Sequence, residues 1–112
     1  MLAGHQELAN LIAIYDANGM QGDDWVEKQL NHLPALDGLA AMGWEMQSID
    51  GHDVQAIADA LQRADSNAKP TFIHANTIKG KGVKMMENVL RWHGSVAMTD
   101  QELQLALQQL GD

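Results

Sequence analysis

Residues 10–16, NLIAIYD, and residues 71–76, TFIHAN, decide the reading of the fold. Each is a near-continuous apolar run that ends in polar residues, the pattern of a strand buried on both faces of a parallel sheet. Residues 45–49, EMQSI, read as a third strand. Helical patterns separate and follow them. Residues 34–42, PALDGLAAM, open on a proline suited to a first helical turn and run into Gly43, suited to the position after a helix end. Residues 53–64 place Val54, Ile57, Ala58 and Leu61 on one apolar stripe behind an acidic start. Residues 99–110 open Thr-Asp-Gln-Glu, a capping-box pattern, and put Leu103, Leu107 and Leu110 on one side. Alternating strands and helices predict an α/β layer with parallel pairing.

A chain of 112 residues, 46% hydrophobic and 20% charged, has the size of one compact domain. Fifteen acidic against seven basic residues leave a net charge of −8, the wrong sign for a groove that follows phosphate chains, so nucleic acid is not an expected partner. The absence of cysteine excludes disulfides, thiolate catalysis and Cys-based zinc sites. No apolar run exceeds residues 11–15, far short of the ~20 residues of a membrane span. No membrane association and a reducing, cytoplasmic compartment are the expectation.

Two long connections, residues 17–33 and 77–97, each follow a strand, and ligands of open parallel sheets sit beyond the carboxyl ends of the strands. At the first, Tyr15-Asp16 of the strand end run into Ala17-Asn18-Gly19-Met20 and then Gln21-Gly22-Asp23-Asp24. Carboxylate and amide oxygens are hard ligands for Mg²⁺ or Ca²⁺, and Gly19 lets the backbone turn a carbonyl toward the same ion. Asp, Asn and Gly are equally the ordinary turn formers. The second connection alternates two lysines with two glycines in Thr77-Ile78-Lys79-Gly80-Lys81-Gly82, which suits an anion as well as it suits a solvated loop. It closes on Arg91-Trp92-His93-Gly94, where the histidine can donate to phosphate or carry a proton. His5, His32, His52 and His74 show no metal-ligand spacing.

In this order and spacing, LIAIYDANGMQ, MGWEMQSIDGHD, KPTFIHANTIKGKGV, MENVLRWHG and TDQELQLALQQLG resemble the thiamine-diphosphate-binding region of the transketolase family, in particular its short N-terminal-subunit form. The resemblance implies a partial three-layer α/β sandwich with a small parallel sheet, spanning residues 1–112 as part of a pyrophosphate-binding domain. It implies thiamine diphosphate and Mg²⁺ as cofactors. The Asn of the YDxN block gives its side-chain oxygen to the metal and a main-chain carbonyl two residues on joins it, which maps to Asn18 and Met20, with Gly19 between them at the cofactor. The Lys of the TIKGKG block maps to Lys79 beside the cofactor, and the His of the WHG block maps to His93 at the diphosphate near the substrate, in a catalytic role.

Three departures shape the expectation. The family carries a Gly-Asp-Gly motif well before the YDxN block, whose Asp is another metal ligand, and none of the nine residues before Asn10 spells it. The family also uses a second domain whose glutamate activates the aminopyrimidine ring. Asp24, moreover, stands where many relatives have glycine. The expected function is therefore that of a transketolase-like subunit or fragment, inactive alone, that transfers a two-carbon ketol unit between sugar phosphates together with a pyrimidine-binding subunit or domain. An exposed apolar sheet edge, and hence a homo- or hetero-oligomer, is expected with it. A component of another thiamine-diphosphate enzyme and a non-catalytic interaction module are the alternatives.

Overall fold

The computed structural model describes residues 1–94 and 96–111. In chain order it contains α1 (Leu2–His5), β1 (Ile12–Ala17), β2 (Met20–Gln21), β3 (Asp24–Trp25), α2 (Val26–Gln29), α3 (Leu33–Asp37), a 3₁₀ turn (Ala40–Met42), β4 (Glu45–Asp50), α4 (Val54–Asp65), β5 (Thr71–Asn76), a second 3₁₀ turn (Leu90–Trp92) and α5 (Asp100–Leu110). These fall into two compact units, one formed by residues 1–17 and 31–77, the other by residues 18–30 and 78–111.

The first unit is built on a parallel sheet in the order β1-β5-β4. The near-continuous apolar run of β5 takes the centre, and Thr71, Phe72, Ile73 and Ala75 are all buried. Register sets Ile14 and Gln47 beside Ile73, and Ala17 and Asp50 beside Asn76. Paired residues share a face, so one face carries Ile12, Ile14, Thr71, Ile73 and Gln47. There α4 packs on β4: Gln47 Nε2 donates to the Ala60 carbonyl at 3.2 Å, and Arg63 Nε donates to Gln47 Oε1 at 3.1 Å. The buried hydroxyl of Thr71 accepts from Asn67 Nδ2 at 3.1 Å, which satisfies it inside the core. The other face is aromatic. Tyr15 stacks on Phe72 with ring centroids 6.4 Å apart, and its hydroxyl lies 2.8 Å from His32 Nε2. Burial, and secondarily the charge of Asp16, push the Tyr15 phenol above its ordinary value, which keeps it a hydroxyl in this cluster.

The structure corrects several sequence expectations. Strand β1 is not buried on both faces: it is an edge strand, and Ile12 and Ile14 stay 36% and 60% exposed, the apolar edge the sequence predicts. The helix expected over residues 34–42 breaks at Gly38 into α3 and a 3₁₀ turn, because Leu39, Met42 and Gly43 bond three residues back rather than four. On α4 the packed positions are Ala60 and Ala64, while Val54 and Leu61 are exposed. Small side chains let the helix backbone come close enough for the Ala60 carbonyl to reach Gln47. Asp53 does cap this helix, accepting from Gln55 N and Ala56 N.

The second unit joins the β2–β3 hairpin, α2, the loop 78–94 and α5, with Met20, Val26, Val83 and Ala106 buried. Helix α5 opens with the capping box read from Thr99 to Glu102. Its packed face holds Ala106, and Leu103 and Leu110 are exposed against expectation. Gln109 Oε1 accepts the Lys84 N–H at 2.6 Å, which ties this helix to the loop.

The sheet makes an unequal prediction for two isoleucines that are register neighbours. Ile73→Ala, at a position 1% exposed, should cost roughly 2–5 kcal/mol in chemical denaturation, and Ile14→Ala less than about 1 kcal/mol. Equal losses would mean that β1 is covered on both faces.

Candidate cofactor site

Chain direction brings the first group of site residues together. Strand β1 ends at Ala17, and Asn18 Oδ1 accepts the Met20 N–H at 2.9 Å, an Asx turn around Gly19. Gly19 has φ +76°, a left-handed conformation that glycine adopts without steric cost. The Gly19 carbonyl accepts the Val26 N–H at 3.0 Å. In an antiparallel ladder a bonded pair alternates with a non-bonded one, so Met20, opposite Trp25, turns both its N–H and its C=O away from β3. The N–H on that side is taken by Asn18 Oδ1. The carbonyl of Met20 and the amide oxygen of Asn18 are thus presented along one edge of the hairpin. Gly22 and Asp23 form its two-residue turn, with Gly22 at φ +58°, and Asp24 pairs with Gln21 as the first residue of β3.

The segment Arg91-Trp92-His93 is tied down at three points. Arg91 Nη1 meets Glu102 Oε1 at 2.8 Å and its guanidinium lies 4.7 Å from the centroid of the Trp92 ring. Trp92 Nε1 donates to the Met85 carbonyl at 3.1 Å. His93 Nδ1 lies 2.7 Å from the Gly22 carbonyl oxygen. The structure therefore brings His93 to the turn of the hairpin that presents Asn18 and Met20. Gly22, Met85 and Glu102 are the partners that sequence reasoning misses. Two of them act through main-chain carbonyls that every residue possesses, and Gly22 is 71 positions from His93, so no side-chain pattern announces them.

Lys79 lies in the same unit, half-buried, and its carbonyl accepts the Asn88 N–H at 2.9 Å, which closes a loop of ten residues. Among the described residues neither Lys79 nor Lys81 has a carboxylate within ion-pair distance, so their charge is available to an anion. The glycines act otherwise than as an anion cradle. The Gly82 N–H donates to Glu87 Oε1 at 3.1 Å and is already used. Gly80, at φ +76°, lies so close to Met86 that a Cβ would sit 2.7 Å from the Met86 carbonyl oxygen. Among the described residues no three His, Cys, Asp or Glu side chains gather as a metal cluster. The two oxygens that the hairpin edge presents, one amide and one carbonyl, are hard donors that would suit a small divalent cation only if it brought further oxygens with it.

A parallel α/β sheet followed by this hairpin, with its paired oxygen donors and anchored histidine, is the architecture of a cofactor-binding domain. The chain belongs to the transketolase thiamine diphosphate binding domain family, whose model matches residues 1–112. It is 39% identical over 112 residues to the 6-deoxy-6-sulfo-D-fructose transketolase subunit of Clostridium sp. (strain MSTE9), a match covering 98% of this chain and 40% of that one. It is 34% identical over 112 residues to an apulose-4-phosphate transketolase subunit of Actinobacillus succinogenes, covering all of this chain and 40% of that one. The crystal structure of the Campylobacter jejuni transketolase superposes with a TM-score of 0.85 at 34% identity over 98% of this chain and 17% of that one. The chain thus spans about two fifths of the length of the subunit relatives.

The lysine–glycine loop sets two glycines apart. Gly80→Ala and Gly82→Ala both place alanine at positive φ, but only the first meets backbone, so it should cost about 1–3 kcal/mol more in thermal or chemical unfolding. Equal costs would show that the Gly80–Met86 approach is not tight. The Glu102 carboxyl is held below the ordinary carboxylate range by the Thr99 N–H first, then by the Thr99 hydroxyl and Arg91. Its contribution is complete above the unfolded value and is lost as pH falls through the lower folded one. Acid titration followed by circular dichroism should show a loss of stability as pH falls below the ordinary carboxylate value that is shallower in Glu102→Gln; parallel curves would detach Glu102 from the acid response.

Proposed function

We propose that this chain is the cofactor-binding part of a thiamine-diphosphate-dependent transketolase that moves a two-carbon ketol unit between sugar phosphates in the cytoplasm. The observation that carries the reading is the hairpin edge, where the Asn18 amide oxygen and the Met20 carbonyl stand together with Gly19 at the turn and His93 bound to the hairpin tip. Asn18 and Met20 would hold Mg²⁺, the remaining oxygens coming from diphosphate and water, as suits an ion that binds few protein ligands and demands octahedral geometry. Lys79 supplies uncompensated positive charge to a diphosphate in a chain of net charge −8. His93 faces the diphosphate and the reacting sugar, where it can hold or move a proton. Thiamine diphosphate, when bound, supplies the nucleophilic carbon and the electron sink of ketol transfer. The protein's share is position and charge. A pyrimidine-binding subunit or domain completes the assembly, which supports an oligomer, and the exposed β1 edge is consistent with further contacts.

The test is calorimetric titration of thiamine diphosphate with Mg²⁺ into the assembly of this chain with its pyrimidine-binding partner. Asn18→Ala should weaken Mg²⁺-dependent binding by about tenfold or more, as loss of an ion's supporting ligand does, and the exposed Asn10→Ala should change it less than about twofold. Equal effects would remove Asn18 from the site.

A further inference from the structure

We infer that the main-chain carbonyl of Gly22 fixes the tautomer of His93, leaving Nε2 as the only ring nitrogen the histidine can offer to a ligand. A carbonyl oxygen accepts and never donates, so the 2.7 Å contact to Nδ1 requires the proton on Nδ1. In the neutral ring Nε2 then bears the lone pair and accepts; it donates only from the imidazolium. Phosphate oxygens need donors and hydroxyl groups can serve an acceptor, so the anchor decides which of the two a neutral His93 receives. The anchor also links His93 to the segment that holds Asn18 and Met20. Gly22 lies two residues from Met20, and the Met20 N–H is held by Asn18 Oδ1, so the hairpin that aligns the oxygen donors also orients the imidazole. Gly22 can present its carbonyl there because it takes the first place of a two-residue turn at φ +58°, where a side chain is disfavoured. The hairpin tip is thus a positioning element for His93. This inference rests on the reading of His93 as a residue that faces the ligand.

The tautomer is read without cofactor, so a failure to bind thiamine diphosphate would count against the proposed function alone. A two-bond proton–nitrogen correlation spectrum of the ¹⁵N-labelled chain, recorded near about pH 9 where imidazoles are neutral, reports which nitrogen bears the proton. The His93 signals are assigned by their loss in His93→Asn. The expected result is a protonated Nδ1 and a pyridine-like Nε2; an Nε2-protonated ring, or the averaged pattern of a free imidazole, would overturn the inference. Substitution gives an independent reading. Asn places an amide N–H where Nδ1 stands, whereas Gln places one at the reach of Nε2. Amide hydrogen exchange over residues 19–26 should therefore stay near the parent value in His93→Asn and accelerate by about tenfold in His93→Gln, the scale of one lost hydrogen bond. Equal protection in the two variants would show that the Gly22 carbonyl does not hold the ring.

Discussion

Backbone pairing along β5 is the constraint on which the sheet unit depends. Every residue of Thr71–Asn76 has a partner on both sides, β1 on one and β4 on the other. A central parallel strand cannot turn either face to water without losing apolar burial, which is why this run is almost uninterrupted in its hydrophobicity and why even its threonine is buried and bonded. The alignment of Ala17, Asn76 and Asp50 at one end follows from register. From two of those ends, Ala17 and Asn76, the chain goes on into the connections that hold Asn18 and Lys79.

Main-chain oxygens fasten several of these segments. Met85 holds the Trp92 indole, Gly22 holds the His93 imidazole, and Lys79 closes its loop through Asn88. An anchor of this kind leaves the side chains of the same residues free for ligands or packing. The acceptor end also resists substitution, because only a change of backbone path removes a carbonyl, whereas the Trp92 and His93 ends depend on their side chains. The charged side chains contribute in a more local way: Arg91 is shared between the Glu102 carboxylate and the face of Trp92, and Glu102 in turn caps α5 through Thr99. The segment before His93 is therefore ordered by the start of a helix that follows it in sequence.

Electrostatics and composition point the same way. An acidic chain with a few lysines left without carboxylate partners in one loop concentrates its attraction for anions there, while repelling extended polyanions elsewhere. No helix of the described residues is long and apolar enough to cross a membrane.

The sequence by itself determined the strand at residues 71–76, the cap at Thr99, the parallel α/β class and the family, because each rests on local periodicity, on a side chain reaching its own helix start, or on ordered motifs. The bond that joins Asn18 to Met20 spans two residues and so lies within reach of local sequence. What the sequence could not contain was the packing of α4, where apolar periodicity favoured Val54 and Leu61 but close approach to β4 selected Ala60 and Ala64. Nor could it show that Gly80 is there to let Met86 approach, that the Gly82 N–H is spent on Glu87, or that His93 meets the carbonyl of Gly22. Those outcomes depend on which backbone atoms come within 3 Å or so of one another once the chain is folded, and backbone atoms are the same in every residue.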